Sequence, residues 1–276
     1  MSVSDAIRRA AEQLSQTSGT ARLDAELLMA HALEVSRSDL LLKHMQAEEP
    51  AAFQPLVARR AHHEPVGYII GTAEFYGREF AVGPGVLIPR SDSEVLIDAA
   101  LKAVPNPKRV LDMGAGSGAL LFTILAEIPA ALGIGMDRSA DAIQTAQKNA
   151  GTLKIGDRIG LLQRDWGNAG WDYNLPRFDL ILCNPPYVET AANLEPDVRD
   201  FEPAEALFAG SDGMDDYKVI LPQLAGLLNP DGAAVLEIGH KQGEAVQALA
   251  RQHGFASELR QDLGGRDRCV ILRQNG

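Results

Sequence analysis

The sequence predicts an α/β fold, a Rossmann-like, seven-stranded and mostly parallel sheet preceded by a small helical bundle. Three observations carry this expectation. From residue 91 onward, strand-like apolar runs alternate with helical ones, the pattern of a parallel sheet covered on both faces. The last two strand-like runs leave no room for a crossover helix, so they form a hairpin and put one antiparallel strand at the end of the sheet. The first 63 residues carry helical periodicity only.

Within residues 1–63, Ile7, Ala10, Ala11 and Leu14 recur at helical spacing. Leu23, Leu27, Leu28 and Ala30 do so again behind Thr20, a capping residue type. Leu40-Leu41-Leu42 follows Ser38-Asp39, and Pro50 opens a fourth stretch through Phe53, Leu56, Val57 and Ala61. Such amphipathic faces bury against one another, which makes a bundle. Residues 64–90 are punctuated by Gly67, Gly71, Gly77, Gly83 and Gly85 between short runs such as Tyr68-Ile69-Ile70 and Glu79-Phe80-Ala81-Val82, which reads as a β-hairpin linker. Ser91 and Glu94 have the spacing of a capping box at the start of the third region, 91–276. There the pattern places strands at about 109–112, 131–136, 159–163, 178–183, 233–238, 255–260 and 268–273, and helices at about 118–127, 139–149, 214–227 and 242–252.

Composition narrows the function. The chain has 276 residues, 46% hydrophobic and 23% charged, enough apolar content for packed cores and against global disorder. Its net charge of −11 disfavours sequence-independent binding to nucleic acid, which needs Lys and Arg against phosphate, although a local basic patch would still serve. Cys183 and Cys269 lie in apolar strand-like runs and read as small buried hydrophobes rather than a disulfide framework. The first 14 residues include Asp5 and Glu12 and show no unbroken apolar stretch, so no secretory signal is visible and a cytoplasmic protein is expected. No run reaches the roughly 18 apolar residues of a membrane helix. The histidines show no metal-binding spacing; adjacent His62 and His63 would diverge by about 100° on a helix, so no metal is expected.

Two motifs carry chemistry. In the first, the apolar run Val110-Leu111-Asp112-Met113 enters Gly114-Ala115-Gly116-Ser117-Gly118 and then a helix. Glycines let a ligand approach the backbone, and a helix N-terminus offers free N–H groups to an anion. The spacing is not Gly-x-Gly-x-x-Gly and no Lys follows, so dinucleotide and phosphate-loop readings give way to S-adenosylmethionine, whose methionine end carries a carboxylate and an ammonium. Asp112 suits the ammonium. Asp137, 19 positions after Gly118, ends the second strand, where an acid accepts from both ribose hydroxyls; it also suits a helix cap ahead of Ser139. After the third strand, Asp165 suits an adenine amino group, and Trp166 suits either the face of the base or the core.

In the second motif the buried strand Phe178–Cys183 ends in Asn184-Pro185-Pro186-Tyr187. Two prolines cannot continue a ladder, and they stiffen the loop. The loop presents an amide, free carbonyls and an aromatic ring. The Asn184 side-chain oxygen and the Pro185 carbonyl can each accept one N–H of a planar NH2 group, while Tyr187 stacks on its plane. Such a nitrogen is a poor nucleophile because its lone pair is delocalised. Fixing both hydrogens aims the lone pair at a methyl donor and stabilises the charge that develops.

These residues resemble the release-factor glutamine methyltransferases, the PrmC/HemK family, over nearly the whole chain. The matching segments are Glu64 to Ile69, Glu74 to Gly77, Val86 to Arg90, Leu111 to Gly118, Asn184 to Tyr187, Glu237-Ile238-Gly239 and Gly265 to Arg268. The resemblance implies a helical substrate-docking domain at 1–63, a β-hairpin linker at 64–90 and a class I S-adenosylmethionine-dependent methyltransferase domain at 91–276. It implies methylation of the glutamine of the Gly-Gly-Gln motif in peptide chain release factors, and hence a role in translation termination, with no stable nucleic-acid or membrane partner. The cofactor would lie on Gly114 to Gly118, Asp137, Trp166 and Asn184. The substrate glutamine would lie on Asn184, Pro185, Pro186 and Tyr187. One segment departs: the family usually reads Pro-Glu-Thr-Glu where this chain has Ser91-Asp92-Ser93-Glu94.

Three other readings compete. An adenine-N6 methyltransferase of DNA or RNA would share both motifs, but only about 90 residues follow the second and they complete the sheet. The first 75 residues hold 7 Lys+Arg against 10 Asp+Glu, no basic face. A methyltransferase acting on a glutamine of a ribosomal protein differs only in its partner. A binding protein that has lost activity is opposed by the intact second motif.

Overall fold

The computed structural model describes residues 1–275; Gly276, the last residue of the expected catalytic region, lies outside them. The chain forms two units, Met1–Thr72 with Leu194–Glu202, and Ala73–Asn193 with Pro203–Gly276.

The first unit begins with α1 (Val3–Leu14), α2 (Ala21–Ala32), α3 (Arg37–Asp39), a π-helical turn Leu40–His44, α4 (Phe53–Ala61) and α5 (Val66–Ile70). Ser2 caps α1, its hydroxyl accepting the Asp5 N–H at 3.2 Å. The buried set Val3, Ala6, Ile7, Ala10 and Leu14 forms one face of that helix and packs on Leu28, Met29, Phe53 and Val57. Thr20 precedes α2 but does not cap its backbone; its hydroxyl turns to the Asp24 carboxylate at 2.8 Å. The run Tyr68-Ile69-Ile70 is helical rather than a strand. Short apolar runs fit either period, and here Pro65 at the start and Gly71 at the left-handed end (φ 81°) decide for a helix.

The hairpin β1 (Thr72–Phe75) and β2 (Arg78–Ala81) follows, all but Thr72 in the second unit, and then α6 (Glu94–Ala103). The capping box does not form. Ser91–Ser93 makes a 3-10 turn, and the Glu94 carboxylate accepts the Tyr76 N–H at 2.9 Å, so it holds the hairpin turn instead of its own helix start. The sheet follows: β3 (Arg109–Met113), α7 (Ala119–Glu127), β4 (Leu132–Asp137), α8 (Ala140–Thr152), β5 (Ile159–Gln163) and β6 (Phe178–Cys183). A helix not expected from the sequence, α9 (Pro196–Phe201), belongs to the first unit, where Arg60 bridges buried Asp24 (2.7 Å) and Asp197 (3.5 Å). The chain closes with α10 (Asp215–Leu227), β7 (Leu228–Glu237), α11 (Gly243–Gln252), β8 (Phe255–Gln261) and β9 (Asp267–Gln274).

The strand order is β5-β4-β3-β6-β7-β9-β8. Only β9 runs against the direction of the other six strands, and the closing hairpin inserts it between β7 and β8, one place in from the edge. Two cores cover the two faces. Val110, Leu180, Leu182, Val235 and Ile271 meet α6 and α7, whereas Leu111, Met113, Ile181, Leu236 and Val270 meet α10 and α11. Cys269 lies in the first core and Cys183 in the second; both are free and buried, as small hydrophobes. The order reverses between β3 and β6, and ligands of such sheets bind at the carboxyl ends beside that switch point.

Candidate functional site

Register brings the motifs together. Met113 pairs with Met136 on one side and with Cys183 on the other, and Cys183 pairs with Leu236. The next residue on each of these four parallel strands is Gly114, Asp137, Asn184 or Glu237, so all four stand at one level at the carboxyl end of the sheet.

The glycine turn is held by its backbone. The N–H groups of Gly114 and Ala115 both donate to the Met136 carbonyl at 2.8 Å. Gly114 has φ 79°, and a Cβ there would stand 3.2 Å from the Trp166 ring and 3.9 Å from the Asn184 carbonyl oxygen. The glycine turn, Trp166 and the Asn-Pro-Pro-Tyr loop therefore converge on a position where an added Cβ would be tight against the indole. Gly118 caps α7 at φ 84°, and its missing Cβ would overlap the Phe122 ring.

Asp137 accepts the Gly116 N–H through Oδ2 and the Ser139 N–H through Oδ1, each at 2.9 Å. Ser139 itself caps α8, accepting the Ala142 N–H. Burial pushes the Asp137 carboxyl above its ordinary range, opposed by these two hydrogen bonds. Each carboxylate oxygen keeps capacity to accept again. Asp112 is fully buried under the turn. Its Oδ2 accepts the Leu121 N–H at 3.3 Å, its Oδ1 has no hydrogen-bond partner among the described residues, and burial raises it to about 7. Asp165 accepts the Gly167 N–H at 2.8 Å, and the Trp166 indole N–H donates to Asp216 at 2.9 Å.

A cavity opens over this level. Gly114, Ala115, Gly116, Ser117, Asp137, Asp165, Trp166, Asn184 and Pro186 line it, with Ser93, Arg90, Pro89 and Phe75 on another side. Asp112, Gly118, Pro185 and Tyr187 do not line it. Pro185 is buried, and Tyr187 is half-buried against the α10/α11 core. The Tyr187 hydroxyl donates to Glu237 Oε1 at 3.1 Å, and its carbonyl accepts the Gln242 amide at 3.0 Å. Glu237 is 3% exposed; burial pushes its carboxyl up, and the side chains of Ser93 and Tyr187 oppose that by favouring its charged form. Sequence reasoning assigned no role to Glu237, Gln242 or Ser93. The available signal was a carboxylate in the otherwise apolar run Ala233–Ile238, a costly placement without a task.

The wall thus offers a helix N-terminus for an anion, acidic acceptors for hydroxyl and amino groups, an indole face, and an amide acceptor beside a stiff loop. No group of three or more His, Cys, Asp or Glu among the described residues could hold a metal ion.

Residues 5–71 match the family model of the PrmC N-terminal domain, and residues 106–237 match that of a methyltransferase domain. Release factor glutamine methyltransferase of Geobacter sulfurreducens is 42% identical over 256 residues, covering 91% of this chain and 88% of that one. The protein of the same name from Cereibacter sphaeroides is 41% identical over 280 residues, covering 99% of each. Among solved structures, a methyltransferase from Pyrococcus furiosus superposes with a TM-score of 0.54 at 15% identity, covering 80% of this chain and 98% of that one, a likeness of fold. By its sequence over nine-tenths of its length, the chain belongs to the release factor glutamine methyltransferase family.

Proposed function

We propose that this protein transfers a methyl group from S-adenosylmethionine to the side-chain amide nitrogen (N5) of the glutamine in the Gly-Gly-Gln motif of a peptide chain release factor. The observation that carries the reading is the shared level of Gly114, Asp137 and Asn184, which sets a cofactor cradle against an amide receptor. The donor set fits the cofactor. Asp137 has acceptor capacity for two ribose hydroxyls, Asp165 for an adenine amino group, and Trp166 a ring for the base. The backbone of Gly114 to Ser117 and the start of α7 line the side that would face the carboxylate, and Asp112, buried beneath the turn without lining the cavity, would supply charge for the ammonium. When bound, S-adenosylmethionine supplies an electrophilic methyl on a sulfonium.

The chain's own residues do the rest. Asn184 Oδ1 and the Pro185 carbonyl take the two N–H bonds of the glutamine amide, so its lone pair is presented in line. The same acceptors strengthen as positive charge grows on nitrogen, and the methylated nitrogen then loses a proton readily without a strong base. Pro185 and Pro186 keep the loop from relaxing, and Tyr187 anchors its end. Selection among the many glutamines of a cell must come from contacts remote from the reaction. The first unit, with exposed Leu23, Leu41 and Leu42, is the docking surface for the release-factor body in the cytoplasm.

A labelled-methyl transfer assay tests this, with release factor, its Gln→Ala loop variant and DNA side by side. Label in the intact release factor alone is expected. Label in DNA, or equal label in the Gln→Ala variant, would overturn the reading.

A further inference from the structure

We infer that Glu237 is the positioning residue of the Asn-Pro-Pro-Tyr loop, holding Asn184 in its reactive orientation through the Tyr187 hydroxyl. The inference rests on the glutamine methyltransferase reading above and deepens it.

Four observations carry it. Glu237 ends β7 beside Asn184 at the end of β6, on adjacent parallel strands and at the same level. Paired strands run about 4.8 Å apart, so the carboxylate is rooted next to the proposed acceptor. The strands alternate: Leu236 faces the α10/α11 core, so Glu237, the next residue of β7, turns to the other face. The Tyr187 hydroxyl reaches back over this pair to Glu237 Oε1 at 3.1 Å, closing a brace around the two prolines.

The brace is built to be stiff. Glu237 is 3% exposed, and its main-chain carbonyl accepts the buried Tyr217 hydroxyl at 2.7 Å, so its own position is fixed. Tyr187 is held at both ends, by Glu237 at the hydroxyl and by Gln242 at the carbonyl. Burial and the neighbouring carboxylate both raise the Tyr187 phenol, so it stays a donor. Glu237 Oε2 has no hydrogen-bond partner among the described residues, and a half-satisfied buried carboxylate is a costly choice for stability alone. Asp92 disfavours the charged form of Glu237 and Arg268, which pairs with Asp92 at 2.9 Å and with Asp262 at 2.8 Å, favours it. The departing Ser91-Asp92-Ser93 segment thus bears on this brace electrostatically, Asp92 pairing with Arg268 and the Ser93 side chain favouring the charged form of Glu237.

The test compares wild type with Glu237→Gln, Tyr187→Phe and the double variant on a short Gly-Gly-Gln peptide, with cofactor affinity measured by calorimetry on each. Glu237→Gln keeps the size of the side chain and an acceptor for the tyrosine while removing the charge. The inference predicts that each single variant loses about tenfold or more in kcat with cofactor Kd within about twofold, since misplaced reacting groups cost rate rather than cofactor binding. It further predicts that the double variant is no worse than the poorer single, because both break one brace. Glu237→Gln with kcat within about twofold of wild type, or losses that multiply in the double variant, would overturn it while leaving the function intact. A wild-type protein that leaves both the peptide and intact release factor unmethylated takes down the function reading, and this inference with it.

Discussion

The glycine turn after β3 and the Asn-Pro-Pro-Tyr loop after β6 leave the sheet at one level, yet they are held in opposite ways. The turn is shaped by missing side chains: its N–H groups go to the Met136 carbonyl and to Asp137, and a Cβ on Gly114 would crowd the Trp166 ring at 3.2 Å. The loop is shaped by side chains: two prolines stiffen it, and Glu237 and Gln242 grip Tyr187 from behind. A surface of bare backbone suits a ligand held tightly by many weak contacts. A stiff loop presenting one amide suits the orientation of a group about to react. Damage to the turn should therefore appear in cofactor affinity, and damage to the loop in the rate of transfer.

The largest effect is expected at the loop. Asn184→Ala should lower kcat by about 3 kcal/mol of barrier, on the order of a hundredfold, as when one preorganised donor or acceptor is removed. Steady-state kinetics on a Gly-Gly-Gln peptide check this, and a loss below twofold would remove Asn184 from its role. Next comes Asp137→Ala on the cofactor side. Two hydroxyls lose a charged acceptor worth about 1.5–3 kcal/mol per hydrogen bond, so binding should weaken by roughly tenfold or more. Titration calorimetry with unchanged affinity would contradict the assignment.

Asp112 offers a pH-dependent contrast. Burial raises its carboxyl to about 7, above its unfolded value, so the folded chain resists ionising it. The penalty is absent below about pH 4, grows between about pH 4 and 7, and is complete above. Asp112→Asn should thus stabilise the ligand-free protein by up to about 4 kcal/mol at pH 8 and hardly at all near pH 4, while weakening cofactor binding. Thermal unfolding at the two pH values reads the difference, and an equal shift at both would show that the ionised carboxylate is not the cause. The smallest effect is expected for Gly114→Ala. A left-handed alanine costs about 1 kcal/mol, and the Trp166 ring must yield by a few tenths of an ångström, so cofactor affinity should fall severalfold with little change in kcat at saturation. A drop in kcat with affinity intact would place Gly114 on the wrong side of the comparison.

The two halves of the site were unequally legible in the sequence. The turn, Asp137 and Asn184 to Tyr187 stood out because each is a local pattern at a strand end, and the strands themselves were visible as apolar runs. Their meeting at one level was not visible, since it depends on Met113 pairing with both Met136 and Cys183. Glu237 was hidden for the same reason: its partner Tyr187 lies 50 residues away, joined through the β6–β7 register. Glu94 misled, because a capping-box spacing says nothing of a hairpin turn that competes for the carboxylate. The helix Pro196–Phe201 was missed because six residues hold too little periodicity to read, and its place beside Arg60 is a long-range fact.

The division of labour is tested most directly by single-turnover methyl transfer at saturating S-adenosylmethionine in wild type, Asp137→Ala and Asn184→Ala. Once loaded with cofactor, Asp137→Ala should transfer within a few fold of the wild-type rate, whereas Asn184→Ala should stay about a hundredfold slow however much cofactor is supplied. Recovery of Asn184→Ala at high cofactor, or an equally slow Asp137→Ala at saturation, would contradict the account.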